Sequence, residues 1–422
     1  MAEPFEYKPG LERVQGLCDI LGSPEKSLKV IHVAGTNGKG STACMIASIL
    51  YKSGIRVGMY YSPALIDIRD HYMINGVLIS EDDYRLYMDR VGHADDELFE
   101  ASGLRASSFE KETALAFLYF AEKNCDVAVM ECGMGGIDDA TNIATDKLCC
   151  VITSISLDHM QYLGNTLPKI AQKKAGIITS GCPVVAFDSS PDTTDVIRKR
   201  CEETGSILHP VSLKDIKYYD RYPEGISVSY KEYADVDVAL SGSFQAENAA
   251  LALNAVSVLR DEQDYSCITD SAIRAGLLEV YWPFRFELIC KDPLIYVDGA
   301  HNPDAARKLR ETIINRLKDF AIILVMGVFY DKDHEEILKI MSDVSDTIIT
   351  LTPPNKDRAY PAAKLAEDAK KYYKNVIVSD GMEDAYGAVI RACESSDMTA
   401  AVAFGSLSYL NLFKQCKESI TY

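Results

Sequence analysis

Residues Val30–Leu50 read VIHVAGTNGKGSTACMIASIL, and this stretch decides the fold class. The β-branched run Val30, Ile31 and Val33 predicts a short strand. Small residues follow, Gly35-Thr36-Asn37-Gly38-Lys39-Gly40-Ser41-Thr42, and then an apolar segment of helical character from Ala43 to Leu50. A strand, a glycine-rich loop and a helix N-terminus in succession turn backbone N–H groups and the helix dipole towards an anion. Glycines let the backbone approach phosphate oxygens, Lys39 supplies a cation, and Ser41 or Thr42 offers a hydroxyl to Mg²⁺. The spacing departs from the strict G-x-x-x-x-G-K-[ST] pattern, since the first interval is shorter and Gly40 separates the lysine from the serine. A tight turn carrying a solvated lysine is the plain alternative, and it leaves the coincidence of strand, glycines, lysine, hydroxyls and helix unexplained.

The remainder of the 422 residues is ordinary globular material, with 25% charged and 47% hydrophobic residues, and the length suggests two domains. The net charge of −18 and the lack of any Lys/Arg-rich block argue against a nucleic-acid partner. The start, MAEPFEYKPGLERV, has no basic segment followed by an apolar core, and no apolar run approaches the ~20 residues of a membrane span; the expectation is a cytoplasmic protein with no membrane partner. Twelve cysteines are scattered without a C-x-x-C pair, which reads as buried reduced thiols rather than a disulfide scaffold or zinc site.

Strands and helices alternate outward from the loop. Gly10–Leu21 has helical spacing. Ile55–Tyr61 reads as a strand, and Tyr72–Ile79 as a hairpin turning at Asn75-Gly76. Ser80 opens a helix, and Glu112–Glu122 is another. Asp126–Glu131 and Leu148–Leu157 read as strands, Thr166 as the cap of a helix ending near Lys174-Ala175-Gly176, and Pro183–Phe187 as a strand. Lys214–Leu240 turns β-rich and polar, and Phe244–Arg260 is helical. Tyr281–Glu287, with the only tryptophan, reads as a domain connection. After it come strands at Leu294–Val297, Ile322–Met326, Thr347–Leu351, Val376–Val378 and Ala400–Phe404, with a helix at Asp304–Leu317. The alternation predicts parallel α/β sheets in a larger and a smaller doubly wound unit.

Ligands of open α/β sheets sit at the carboxyl ends of strands. The candidates fall at such ends: Lys39 and Ser41, Ser62, Glu131, Asp158 and His159, then Asp298 and His301. A cation, hydroxyls, a carboxylate and an imidazole from four strand ends describe a Mg²⁺–phosphate site. Singly, each has a structural alternative: Ser62-Pro63 as a turn, Glu131 as a carboxylate bonded to glycine-rich backbone, His159 as a helix cap, and Lys174 as a surface residue at a helix end. Were Lys174 buried beside metals, its pKa would fall and the neutral amine could take up CO₂ as a carbamate.

Several motifs, in order and over nearly the whole chain, resemble the folylpolyglutamate synthase/dihydrofolate synthase family of the Mur ligase superfamily. They are IHVAGTNGKGST (31–42), ECGMGG and DATN (131–142), LDHMQYLGNT (157–166), KAGI (174–177), RFE (285–287) and DGAHNPDAA (298–306). The resemblance implies a P-loop-type, Mur-ligase-like ATP-binding domain over 1–284, followed by a smaller Rossmann-like α/β glutamate ligase domain over 285–422. It implies that Gly38, Lys39, Gly40 and Ser41 hold the ATP phosphates, and that Asn248, Arg285 and Asp298 contact the nucleotide across a cleft. Ser62, Glu131, His159 and a carbamylated Lys174 match the ligands of two Mg²⁺ sites. Lys39, Lys174 and His301 are the expected catalytic positions, and Asp139, Ala140, Thr141 and Asn142 lie where some members bind a pterin. The implied partners are ATP, L-glutamate and folate or dihydropteroate, in a monomer. Departures gather on the folate side: Ala64, Asp70 and His71 stand in place of histidine, glutamate and arginine, Ile137 replaces an arginine, and Phe284 a glycine. The lean is therefore towards folylpolyglutamate synthesis, with dihydrofolate synthesis as the alternative. A ligase acting on a UDP-linked peptide would need a further domain ahead of the loop, and a non-catalytic nucleotide switch would not need the distributed metal set.

Overall fold

The computed structural model describes residues 9–221, 224–355, 357–394 and 398–419; residues 1–8 of the start read above lie outside them. An eight-stranded sheet contains β1 (Lys29–Ala34), β2 (Val57–Tyr60), β3 (Tyr72–Ile74), β4 (Val77–Leu78), β5 (Val127–Glu131), β6 (Lys147–Ile152), β7 (Val184–Phe187) and β8 (Leu208–Val211). Its order is β4-β3-β2-β5-β1-β6-β7-β8. Pairing is parallel from β2 to β8, with the β3–β4 hairpin added antiparallel at one edge. All of β5 and β6, and β1 beyond Lys29, are buried, as strands covered by helices on both faces must be.

The first compact unit consists of the described residues up to Lys217 together with Val228–Asp237 and Glu247–Val280. One of its cores packs Leu17, Tyr60, Phe117, Phe120 and Met130, and another packs Ile152, Ile177, Val184 and Ile197. The second unit comprises Tyr218–Ser227, Val238–Ala246 and the described residues from Tyr281 onward. Its sheet contains β12 (Glu287–Lys291), β13 (Leu294–Val297), β14 (Ala321–Met326), β15 (Thr347–Thr350), β16 (Asn375–Val378) and β17 (Thr399–Phe404), in the order β12-β13-β17-β14-β15-β16. Only β12 runs antiparallel. Tyr296, Leu324, Met326, Ile348 and Phe404 lie in its core. A small sheet of β9 (Lys217–Asp220), β10 (Ile226–Tyr230) and β11 (Tyr233–Val238) accounts for the polar β-rich stretch.

Three local expectations need correction. The sixth strand ends at Ile152, not Leu157, because the hydroxyl-bearing residues beyond it bond the phosphate loop instead of a neighbouring strand. The helix expected from Glu112 begins at Ser108, where Ser107 and Glu110 form a capping box: the Ser107 hydroxyl accepts from Glu110 N–H, and Glu110 Oε2 accepts from Ser107 N–H at 2.7 Å. Thr166 does occupy the N-cap of helix Leu167–Ala175, but its side chain makes no capping bond. The hairpin turn at Asn75-Gly76 is as expected, with positive φ at both residues (53° and 77°).

Candidate functional site

The sheet order explains why distant residues gather. Strands β2, β5, β1 and β6 are consecutive neighbours, so Ser62 (after β2), Glu131 (ending β5), the loop Gly35–Gly38 (after β1) and His159 (in the segment after β6) follow four adjacent carboxyl ends. The chain skips from β1 to β2 and later inserts β5 between them, which creates the kind of switch point where α/β sheets bind ligands.

Helix Lys39–Lys52 starts directly at the loop, with Gly38 as its N-cap at φ 86°. A Cβ on Gly38 would stand 2.2 Å from Asn248 Oδ1, so glycine is required both for the left-handed backbone and for the amide side chain laid against it. The loop backbone is held by the segment after β6. Thr153 Oγ1 donates to Asn37 O at 2.8 Å and Ser154 Oγ donates to it at 3.2 Å. Thr36 N–H donates to Ser154 O at 2.7 Å, and Thr36 Oγ1 accepts from Ser156 N–H at 3.1 Å. The sequence reading missed these hydroxyls by assigning them to a strand; the T-S-I-S run (153–156) was their visible signal.

Lys39 Nζ donates to Thr36 O at 3.2 Å and lies 3.7 Å from Glu131 Oε1. Both side chains are largely buried. Lys174, 3% exposed, donates from Nζ to Gly35 O at 2.5 Å. Burial first, and then the Lys39 charge, lower its pKa to about 7, so near neutrality a large fraction of the amine is uncharged. The structure thus brings Lys39, Glu131, Lys174, Gly38 and Asn248 to one loop. Ser41 is buried in the first turn of the helix that follows. Ser62 is part-exposed, and His159 is exposed with φ 48°.

Magnesium takes oxygen ligands and is commonly held by one or two carboxylates plus substrate phosphates. The Glu131 carboxylate and Ser62 hydroxyl suit that demand, as a carbamate on Lys174 would, whereas the His159 imidazole is the poorest donor of the four. Among the described residues, no group of three or more His, Cys, Asp and Glu side chains is poised around a metal, so phosphate oxygens would have to complete the coordination.

The segment from Gly133 to Asn142 lies over the end of helix Leu167–Ala175, where Ile137 N–H donates to Lys173 O at 3.0 Å. Asp139 caps the 3₁₀ turn Ala140–Ile143. Asn142 Nδ2 donates to Gly176 O at 3.2 Å, and Lys147 Nζ bridges Asn142 Oδ1 (2.7 Å) and Ile177 O (2.8 Å). Beneath the turn, His32 Nε2 lies 2.8 Å from Thr141 Oγ1. Of the departures noted above, Asp70 accepts N–H bonds from Leu65, Ile66 and Asp67 and shapes its own loop. His71 is buried among the rings of Tyr60, Tyr61 and Tyr72.

In the second unit, Asp298 follows β13 and is buried, accepting from Phe286 N–H and Ala300 N–H at 2.8 Å each. Burial raises its carboxyl to about 6, against the pull of the Arg285 charge. Arg285 lies against Gly299, where an added Cβ would be 2.3 Å from Nη1, and it is flanked by positive φ at Phe284 (60°) and Phe286 (45°). His301 Nδ1 donates to Gly299 O at 2.9 Å, since a carbonyl oxygen can only accept.

Comparison with known proteins bears on both units. The Mur ligase middle domain model matches residues 33–256, and the Mur ligase, glutamate ligase domain model matches residues 284–405. The dihydrofolate synthase/folylpolyglutamate synthase of Bacillus subtilis (strain 168) is 37% identical over 372 residues, covering 86% of this chain and 84% of that protein. Mycobacterium tuberculosis folylpolyglutamate synthase, complexed with ADP and AMPPCP, superposes with a TM-score of 0.89 at 30% identity, covering 98% of this chain and 95% of that one. E. coli FolC in complex with DHPP and ADP gives a TM-score of 0.82 at 28% identity, covering 99% and 95%.

Proposed function

This chain belongs to the folylpolyglutamate synthase/dihydrofolate synthase family of Mur ligases, and from that premise we propose that it is an ATP-dependent ligase that adds L-glutamate to folate. The observation that carries the reading is the convergence of Lys39, Glu131 and a buried Lys174 on one glycine loop at the switch point of a parallel sheet.

A carboxylate is a poor electrophile, so amide formation needs activation. The acceptor's carboxylate oxygen attacks the γ-phosphorus of ATP, the bond to ADP breaks, and an acyl phosphate results. The glutamate amine then attacks the acyl carbon, and the tetrahedral intermediate collapses by expelling phosphate and losing the ammonium proton. The loop N–H groups and Lys39 hold the phosphates, neutralise charge that develops on transfer, and fix the γ-phosphorus against the incoming carboxylate. Mg²⁺, when bound, supplies Lewis-acid neutralisation of phosphate charge. Glu131, Ser62, His159 and a carbamate on Lys174 are the residues that would hold it. The low pKa of Lys174 supports the carbamate, since only a neutral amine adds CO₂. Gly38, Gly40, Ser41 and Asn248 belong to the nucleotide side in this reading, as do Arg285 and Asp298 of the second domain, with His301 near the phosphates. Asp139–Asn142 face the acceptor.

We take residues 1–284 as the ATP-binding domain and 285–422 as the glutamate ligase domain of a cytoplasmic monomer. No helix among the described residues is long and apolar enough to cross a membrane. Dihydropteroate is the second acceptor to consider, because the name of the B. subtilis relative covers both activities and the E. coli structure holds DHPP.

The test is incubation with Mg·ATP and L-glutamate, with dihydropteroate or a reduced folate in parallel, followed by mass analysis of products. One added glutamate per ADP and phosphate released is the expected result. Release of ADP and phosphate with neither acceptor extended would overturn the assignment.

A further inference from the structure

Under the Asp139–Asn142 turn lies a set of buried polar groups from three parts of the chain. His32 (β1) is fully buried, as is Thr141; Cys132 follows β5, and Asp139 is 4% exposed. Asp139 Oδ2 accepts from Met134 N–H at 2.8 Å, and Oδ1 accepts both from Thr141 N–H at 3.1 Å and from the Thr141 hydroxyl. Every one of these partners is a donor, as an ionised carboxylate demands, and they oppose the burial that pushes this carboxyl above its ordinary pKa. The Thr141 hydroxyl has one proton and two acceptors in reach, Asp139 Oδ1 and the more distant Cys132 Sγ at 3.6 Å; the nearer carboxylate takes it, so towards His32 Nε2 at 2.8 Å the hydroxyl oxygen accepts. The hydrogen on His32 is therefore on Nε2, shared with Cys132 Sγ at 3.1 Å. His32 Nδ1 has no hydrogen-bond partner, consistent with a lone pair rather than a second N–H. The neutral state follows from the surroundings: burial first, and the Lys147 charge second, hold His32 well below its ordinary pKa.

We propose that His32 is a positioning residue for the acceptor substrate: its Nε2–H orients the Thr141 hydroxyl towards Asp139, fixing that carboxylate as an ionised hydrogen-bond acceptor at the acceptor face. The inference rests on the reading that places Asp139–Asn142 on the acceptor side. Without the His32 donor, the Thr141 hydroxyl is free to rotate, and Asp139 Oδ1 keeps only the Thr141 N–H of its two donors.

Steady-state kinetics and a double-mutant cycle test this. His32→Leu is expected to raise KM for the extended acceptor about tenfold, the worth of one hydrogen bond to a charged group, with kcat and KM for ATP within about twofold. His32→Gln, which can still donate, should recover most of the loss. In a Thr141→Val background, His32→Leu should add less than about twofold, since the effect passes through the missing hydroxyl. Fully additive effects, or an equal rise in KM for ATP, would overturn the proposal. A second measurement does not depend on turnover: ¹⁵N NMR of histidine-labelled wild-type protein at pH 7 should assign His32 as the neutral Nε2–H tautomer. An Nδ1–H or doubly protonated ring would overturn the proposal even where the kinetics agree. If wild type extends neither acceptor, the functional reading fails, and the tautomer assignment still decides the direction of the His32–Thr141–Asp139 chain.

Discussion

Replacing Lys174 by methionine should make the protein more stable while abolishing ligation. A lysine ammonium held at a pKa of about 7 instead of 10.5 burdens the folded state by about 4 kcal/mol at pH 7. Methionine fills a similar volume without that burden, but Gly35 O loses the donor now 2.5 Å away. An unsatisfied buried carbonyl costs roughly 1–3 kcal/mol. The balance is a gain of about 1–3 kcal/mol, readable as a higher urea midpoint at unchanged m-value. The sign with pH follows from proton counts. Between pH 7 and 10.5 the unfolded chain binds this proton and the folded chain releases it, so wild-type stability rises with pH across that window. The advantage of Lys174→Met is therefore full below pH 7 and fades as pH approaches 10.5. Urea titrations at pH 6.5 and 9.5, in CO₂-depleted buffer, measure this directly. A less stable variant at pH 6.5, or a difference indifferent to pH, would refute the claim that burial lowers the pKa of Lys174. Acceptor-dependent ADP release in the same preparation should fall to background.

Lys39→Ala should abolish ATP turnover without altering the far-UV circular dichroism, since the side chain's partners are a loop carbonyl and Glu131. Gly38→Ala should weaken nucleotide binding, measured calorimetrically, by at least tenfold: a left-handed alanine costs about 1–2 kcal/mol, and its Cβ would also displace Asn248. Restoring bicarbonate to CO₂-stripped wild type should raise ligase activity and produce a carbamate signal in ¹³C NMR; Lys174→Met should show neither. Ser107→Ala breaks the capping box and should lower stability by ~1 kcal/mol with ligase kinetics unchanged, as read by denaturant titration and initial rates.

The central strands were legible because parallel strands buried on both faces leave continuous apolar runs, as in Val127–Glu131 and the first half of 148–157. The overrun of β6 has a specific cause. Thr153 and Ile155 look like strand residues, while the course of this segment is tied to a loop carbonyl more than a hundred positions away, Asn37 O, through Thr153 and Ser154. Strand β12 (ELICK) went unread because it is a partly exposed, antiparallel edge with no distinctive run. Ser107-x-x-Glu110 was a readable helix start that the longer apolar face after Thr113 obscured. Individual site positions were legible through motifs, whereas their interplay was not. Lys174's low pKa depends on burial under Gly35, and the pairing of His32 with Thr141 spans 109 positions, a distance at which periodicity says nothing.

The late insertion of β5 has a consequence for how the molecule forms. Strand β1 pairs with β5 and β6 alone among the described strands of its sheet, at registers such as Lys29↔Val127 and Val33↔Val151. Until β5 has been synthesised, the strand that launches the nucleotide loop has no partner, and loop-closure entropy must be met before any pairing repays it. The binding loop thus acquires its shape only after a far later part of the chain exists, although it lies within the first fifty residues. Nascent chains arrested before Val127 should be unable to retain ATP, and folding of this unit should be slow and all-or-none rather than progressive from the N-terminus.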